Sequence, residues 1–457
     1  MNKTPFFQKP GARSVMASVI SILIGLLAGS ILIWIVGLIS PTISAKGIWE
    51  GIRLVFFGLF STGRNATGAL TFGFNPTNIG NMLFRATPLV LTGLSVAVAF
   101  KTGLFNIGAP GQYLAGTAAS LFIALSMSTG SGPLYDWLVA QGNTPALTFA
   151  PWLVWTLAFL GGMLAGALWG AIPGLLKSLL NINEVLACIM TNWIAANLVT
   201  WVFDVSTLKN VIEGTKTGYI YKTSFNNVAT SKMGLDVLFP NSQVNGGIII
   251  AAVLAVLVYI LLTRTTFGYQ LKACGSNRFA ARYAGINDKR NIVFSMAIAG
   301  ALAGAAGSLY YLSGNTEFFW STYQALPAAG FNGIPVALLA SNHPIGVVFT
   351  GIFMSMLDIC GLQLTNLTAY NEYITDVIIA VIVYLSAFSL LFKTMLGRRR
   401  KAAAEAQAQP RPEPDATPEP EPQPQPLPAE EPVLLQQPAQ SREQQPSDQT
   451  AGEEENA

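Results

Sequence analysis

The sequence predicts an all-α integral membrane protein with about ten transmembrane helices. Hydrophobic residues make up 51% of the 457 residues and charged residues only 11%, whereas a soluble domain carries roughly 25% charged residues. Long apolar runs recur along the chain, each close to the roughly 20 residues that a helix needs to cross the hydrocarbon core of a bilayer. Most of the chain is therefore not expected to face water.

Ten runs qualify as spans, and their bounds are soft by a few residues. They lie at residues 15–40, 82–101, 103–127, 149–174, 182–204, 245–263, 290–313, 323–341, 343–363 and 371–393. The first is too long for the apolar part of a signal peptide, so it is predicted to be a span. The eighth contains two prolines and two glycines, which predicts a broken or re-entrant helix. A shorter run, Ile48–Phe60, is predicted to be interfacial or half-inserted.

The distribution of charge predicts the orientation and the domain organisation. Residues 401–457 hold 12 acidic and 3 basic residues, which leaves 11 acidic and 23 basic residues in 1–400. Basic residues favour the cytoplasmic side, and ten spans with both termini inside place most of them there. We expect a cytoplasmic N-terminus at 1–14, a transmembrane domain at 15–395 and a disordered, acidic, Pro- and Gln-rich cytoplasmic tail at 396–457.

The sequence contains none of the common catalytic or nucleotide-binding motifs that we sought. The phosphate loop G-x-x-x-x-G-K-[ST] is absent, and the three cysteines are too far apart for a CxxC site. We predict no enzyme activity, cofactor, metal site or nucleic-acid partner. If ATP drives this protein, another subunit must hydrolyse it.

The long loop at 265–290 contains a short amphipathic helix, GSNRFAARYAGI at residues 275–286. Phe279, Tyr283 and Ile286 recur on one face, and Arg278 and Arg282 share a neighbouring face. Two interpretations are open on this pattern. The helix docks into a groove on a partner, or it lies on the membrane with its arginines against anionic lipid.

Polar residues inside the predicted spans are the candidate functional residues, because such residues normally face a bundle interior or a watery cavity. They are Asn106 and Gln112 at the glycine-rich start of the third span, Glu184 and Asn192 in the fifth, and Asn332 in the eighth, to which we add its aromatic neighbour Phe331. The alternative for the amides is hydrogen bonding that only packs helices. For Glu184 it is a solvated helix end. The similar strings FNIG (105–108) and FNGI (331–334) suggest an inverted repeat with broken helices at its centre.

Four strings resemble the permease subunits of bacterial ABC importers for nucleosides and simple sugars, which are related to the ribose and branched-chain amino-acid permeases. They are FNIGAPGQ (105–112), NEVLACIMTNWIA (183–195), GSNRFAARYAGI (275–286) and GFNGIPVALLASNHPIG (330–346), in the expected order. The resemblance covers about residues 80–390. One departure is Pro110, where the family usually has an acidic residue, and this leaves the substrate open.

The resemblance implies a permease subunit in the bacterial cell membrane, surrounded by lipid, that forms the translocation path for a nucleoside or simple sugar. Its implied partners are a second permease subunit, identical or homologous, two cytoplasmic ATP-binding cassette subunits and an extracytoplasmic solute-binding protein. The 265–290 loop would be the coupling loop that inserts into the ATPase. The implied contacts are Asn277, Arg278, Ala281, Arg282 and Tyr283, and the segments 105–112 and 331–335 would line the path. The alternative is an ion-coupled secondary transporter of a small polar solute, which needs carboxylates in mid-span; only Asp358 is reasonably central.

Overall fold

The computed structural model describes residues 10–127, 148–206, 228–321 and 325–371, together with short stretches between them and scattered positions up to 385. Within these residues the chain is almost entirely helical. The helices are α1 (Pro10–Ile39), α2 (Ala45–Phe57), α3 (Pro76–Lys101), α4 (Ala109–Ser126), α5 (Pro151–Leu180), α6 (Glu184–Val205), α7 (Gly247–Arg264), α8 (Thr266–Ser276), α9 (Arg278–Tyr283), α10 (Asp288–Tyr311), α11 (Ala328–Leu339) and α12 (Pro344–Leu367), with one further turn at Leu235–Leu238.

Seven helices of the described residues are long and apolar enough to cross a membrane. They are α1, α3, α5, α6, α7, α10 and α12, and each coincides with a predicted span. The third predicted span is the 18-residue α4, and the eighth is α11, which has only 12 residues. The tenth predicted span and the tail at 396–457 lie outside the described residues. The all-α membrane class is confirmed, whereas the count of ten and the inverted repeat stay predictions.

Helix α3 forms the centre of the bundle. In its most apolar part 83% of the residues are buried, compared with 33% for α5. It packs against α7, α10, α11 and α12. Two glycines of α3 and α12 show how closely these helices approach, because a Cβ on Gly93 would lie 2.7 Å from Val336 and one on Gly351 would lie 2.6 Å from Val90. A central helix without a lipid-facing side must be apolar or internally bonded all round.

The glycine-rich helices α5 and α10 lie directly against each other. A Cβ on Gly166 would lie 2.3 Å from the carbonyl oxygen of Gly300, and one on Gly304 would lie 2.5 Å from that of Gly162. Small residues at these positions let the two backbones touch, which is how helices associate where no hydrophobic effect drives them together.

The region before α3 packs on the far end of α12. A two-stranded hairpin, β1 (Ser61–Arg64) and β2 (Leu70–Phe72), follows α2 and was not predicted. Arg64 donates to the carbonyl of Leu367 at 2.5 Å and to the buried carboxylate of Glu50 at 2.6 Å. The hydroxyl of Tyr370 donates to Ile33 in α1 at 2.7 Å. Helix α2 coincides with the predicted interfacial run, and its position relative to a membrane stays a prediction.

Candidate functional site

A buried amide network holds the irregular segment that precedes α4. The side chains of Asn106 and Gln112 exchange two hydrogen bonds, of 2.8 and 3.0 Å. Asn106 also donates to the hydroxyl of Ser95 in α3 at 3.0 Å and accepts from the backbone N–H of Gly108 at 3.1 Å. Both amides are buried. A broken helix leaves backbone groups unpaired, and this network supplies partners for them where water is excluded.

Asn192 of α6 ties the same segment to a second helix. Its side-chain oxygen accepts from the N–H of Gly111 at 2.9 Å, and its NH₂ group donates to the carbonyl of Ile107 at 3.0 Å. Glycine is required at position 111 because a Cβ there would lie 2.9 Å from the Cα of Asn192. Three of the predicted residues, Asn106, Gln112 and Asn192, are thus brought together.

The segments that carry the two similar strings also meet. Gly330 in α11 lies against the backbone of Pro110, since a Cβ at Gly330 would be 2.6 Å from the Cα of Pro110. Thr92 of α3 donates to the carbonyl of Ala329 at 2.9 Å and fixes the first turn of α11. The side chain of Phe331 is 38% exposed and that of Asn332 is half-buried. Unlike the amide network, these two side chains are at least partly exposed on the surface of this chain.

Glu184 lies apart from this network. It is the first residue of α6, and its carboxylate pairs with Lys177 of α5 at 2.9 Å. The pair joins the end of α5 to the start of α6. The structure therefore does not bring Glu184 together with the other predicted path residues.

In the 265–290 loop the two arginines are already paired within the chain. The Nε of Arg278 and the Nη2 of Arg282 lie 2.5 and 3.0 Å from the same carboxylate oxygen of Asp288, the buried first residue of α10. Asn277 caps α9 by accepting from the N–H of Ala280 at 3.0 Å, and Ala281 is buried beneath the helix. Three of the five predicted contact residues, Arg278, Ala281 and Arg282, therefore hold α9 against the bundle in this conformation, and Asn277 stabilises the start of α9 itself.

The loop presents aromatic side chains outward. Tyr283 is 95% exposed and Phe279 is 74% exposed on α9, and Tyr269 of α8 is 67% exposed. A concavity of about 800 Å³ lies between α8 and α9. Phe279 and Tyr269 were not among the predicted contact residues. The apolar face seen in the sequence could have identified Phe279, but nothing in the pattern of α8 marked Tyr269.

These features define a class of protein, a multi-pass α-helical membrane protein with interrupted helices in its interior and a loop that exposes aromatic side chains at one end. Comparison with known families makes this more specific. A model described as "Branched-chain amino acid transport system / permease component" matches residues 78–387, and the chain belongs to this family.

Two relatives match most of the chain. The guanosine ABC transporter permease protein NupP of Bacillus subtilis is 31% identical over 85% of this chain and 97% of its own length. The nucleoside ABC transporter permease protein NupB of Lactococcus lactis is 34% identical over 85% of this chain and 94% of its own length. The glucose ABC transporter permease protein TsgB13 of Haloferax volcanii is 29% identical over 71% and 79%. No solved structure gives a significant match.

The chain is thus the permease component of an ABC importer, a multi-pass protein of the cell membrane, and not a secondary transporter. Permease subunits of this kind are not ATPases themselves. The ABC system to which the family belongs includes an ATPase and a solute-binding protein.

Proposed function

We propose that this chain forms the translocation path for a nucleoside, together with a second permease subunit that is identical or homologous. The two relatives that align over 85% of the chain are named for guanosine and for nucleosides, which favours this solute class. A simple sugar is the second candidate, because the relative named for glucose aligns over 71% of the chain.

The observation that carries the proposed coupling to an ATPase is the outward presentation of Tyr283 and Phe279 on the 265–290 loop. Two large aromatic side chains exposed in this way suit an anchor in a groove of a partner. The loop and its adjoining helix ends, residues 264–290, hold six basic residues and one acidic residue, which favours the cytoplasmic side. The partner there is a pair of cytoplasmic ATP-binding cassette subunits. Both chain termini lie on the same side of the membrane as these subunits. A solute-binding protein delivers the solute from the opposite side.

Within the bundle the predicted path residues divide into two roles. Phe331 and Asn332 are partly exposed and are proposed to contact the solute. Asn106, Gln112 and Asn192 are proposed to shape the path by holding the segment before α4. Glu184 is proposed to contribute indirectly, through its ion pair with Lys177 at the end of the path. The apolar outer faces of the helices contact membrane lipid.

The test is ATP-driven uptake of radiolabelled guanosine by proteoliposomes that contain the chain with its ATPase subunits and binding protein. Unlabelled uridine should compete, whereas glucose should not; competition by glucose alone would favour the sugar.

Phe279→Ala with Tyr283→Ala should abolish co-purification of the ATPase and uptake together. The matched control, Val237→Ala with Leu238→Ala, removes two exposed apolar side chains at the opposite end of α7 and should leave both intact. Full uptake by the Phe279/Tyr283 variant would refute the role of the loop.

A further inference from the structure

We propose that Gly103 and Gly275 form a joint that transmits movement of the 265–290 loop to the segment before α4. Gly275 lies in the last turn of α8, and Gly103 lies in the connection between α3 and α4. The inference rests on the proposed function, because it presumes that an ATPase moves the loop. It assigns a positioning role to two residues outside the predicted sites.

The two glycines meet backbone to backbone. A Cβ on Gly275 would lie 2.6 Å from the carbonyl carbon of Thr102 and 2.7 Å from the amide nitrogen of Gly103. A Cβ on Gly103 would lie 2.7 Å from the Cα of Gly275. Neither clash can be relieved by rotating a side chain. Gly103 also has a φ of +73°, a conformation that favours glycine.

Both sides of the joint are anchored to α10. The hydroxyls of Thr102 and Ser295 are hydrogen-bonded to each other. Next to Gly275, the thiol of Cys274 accepts from the side chain of Asn291 at 3.4 Å. Asp288 holds α9 on the same helix through Arg278 and Arg282. A displacement of α9 therefore acts on α8, α10 and the α3–α4 connection, which are packed against one another. Contiguous packing of this kind can carry energetic coupling between two sites.

The connection from the joint to the amide network is short and is itself packed. Two residues separate Gly103 from Asn106, so the three Cα–Cα steps between them span at most about 11 Å when fully extended. The ring of Phe105 stacks on that of Phe100 at 5.1 Å, and the N–H of Leu104 donates to Ala99 at 2.9 Å. Movement of Gly103 must therefore shift Asn106 or break its bonds to Gln112 and Ser95.

The network in turn contacts the two helices that border the proposed path. Asn192 holds α6, and Pro110 lies against Gly330 of α11, one residue from Phe331. The joint thus connects the ATPase-facing loop to a side chain proposed to contact the solute.

The experiment compares Gly275→Ala with Gly346→Ala in the reconstituted complex with its ATPase and binding protein. Gly346 lies near the start of α12, where a Cβ would make only ordinary contacts of 3.4 Å or more. In the Gly275 variant the number of guanosine molecules imported per ATP should fall by about tenfold, while ATPase association stays within about twofold of the wild type. The Gly346 variant should keep the wild-type ratio.

A second variant covers the case in which Gly275→Ala does not fold. Inserting one glycine between Leu104 and Phe105 leaves the joint intact but adds slack after it, so the guanosine-to-ATP ratio should fall here as well. If uptake and ATPase activity fall in parallel, or if either variant retains the wild-type ratio, the joint does not transmit movement.

A measurement without solute separates this inference from the proposed substrate. In a complex that carries Phe331→Cys together with Cys274→Ser, which removes the one native thiol that is not buried, the rate of maleimide labelling should change when ATP is added. Adding Gly275→Ala should abolish that change. If guanosine is not imported but the labelling behaves in this way, the proposed substrate is wrong and the joint stands. An ATP-dependent change that persists in Gly275→Ala overturns the joint, whatever the solute.

Discussion

At the residue scale, the buried amides of this protein have two possible roles, and the structure shows one of them. Amide side chains inside predicted spans suggested either contact with a solute or packing between helices. In the structure Asn106 and Gln112 are hydrogen-bonded to each other, and Asn192 is hydrogen-bonded to backbone groups at the start of α4. These amides thus join helices, and their hydrogen bonds fix the conformation of the segment that borders the proposed path.

We expect Gln112→Leu to lower the free energy of unfolding by about 1–3 kcal/mol, because it leaves the buried amide of Asn106 without its two bonds to residue 112. Thermal unfolding in detergent measures this loss. Gln141→Leu, at an exposed turn position, is the matched control and should change stability by less than about 0.5 kcal/mol. Equal stability of the two variants would show that the amide network does not stabilise the fold.

A second residue-scale prediction concerns the carboxylate that holds both arginines of α9. Asp288→Asn removes the charge that pairs with Arg278 and Arg282, so α9 should detach from α10 more often. Faster hydrogen–deuterium exchange of residues 277–284 would register this opening. Asp236→Asn, an exposed acid at the opposite end of α7, should leave exchange in α9 unchanged. Unaltered exchange in the Asp288 variant would mean that the ion pairs do not fix α9.

The sequence singled out three amides that the structure brings together, but it did not predict what they contact. The polarity of Asn106 and Asn192 inside apolar runs marked them, since few residue types are tolerated there without a reason. Their partners could not be predicted from polarity. Ser95 lies in another helix, and Ile107 and Gly108 take part through backbone groups, which every residue carries. Arg278 and Arg282 were expected to face a partner protein, whereas their distance to Asp288 depends on how the chain turns between α9 and α10.

At the element scale, hydropathy predicted the long helices well because each must satisfy its own backbone within the bilayer. Where helices are interrupted, the positions of proline and glycine were more informative than hydropathy. Pro327, Gly330, Gly333 and Pro335 predicted a broken eighth span, and the described helix there is indeed the short α11. The hairpin of β1 and β2 was not predicted, because its two strands have only four and three residues and follow an apolar run.

The contact between α5 and α10 leads to a prediction with an internal control. Gly166→Ala should lower the free energy of unfolding by about 1–3 kcal/mol, because its Cβ would lie 2.3 Å from the backbone of Gly300 and force the helices apart. At Gly161, in the same helix, a Cβ would press only on the end of the Ile123 side chain, which can rotate away. Gly161→Ala should therefore be neutral or slightly stabilising, since alanine is the better helix former.

Thermal unfolding of both variants in the same detergent compares them directly. If Gly161→Ala lowered the free energy of unfolding as much as Gly166→Ala, the loss could not be assigned to the tight contact between Gly166 and Gly300. A stable Gly166 variant would contradict the close approach of α5 to α10.

At the scale of the whole molecule, the two ends of the bundle differ in what they expose. Helix α3 runs from the hairpin at one end to the joint with the 265–290 loop at the other, and its 26 residues span about 39 Å. One end carries α2, the hairpin and the end of α12, whereas the other carries the exposed aromatic side chains and a strongly basic loop. This polarity is what a protein driven from one side of a membrane requires.

The same polarity predicts the orientation of the chain. Six basic residues against one acidic residue in 264–290 favour a cytoplasmic position for this end. In a Cys274→Ala background, where Cys188 and Cys360 are buried, Tyr283→Cys should react with a membrane-impermeant maleimide only in inside-out vesicles. Ala66→Cys, at the exposed tip of the hairpin, should react only in intact cells, because α3 separates it from the loop by the thickness of the bilayer. Labelling of both cysteines from one side would show that α3 does not cross the membrane. The reverse pattern would place the aromatic loop outside the cell, where it could not contact a cytoplasmic ATPase.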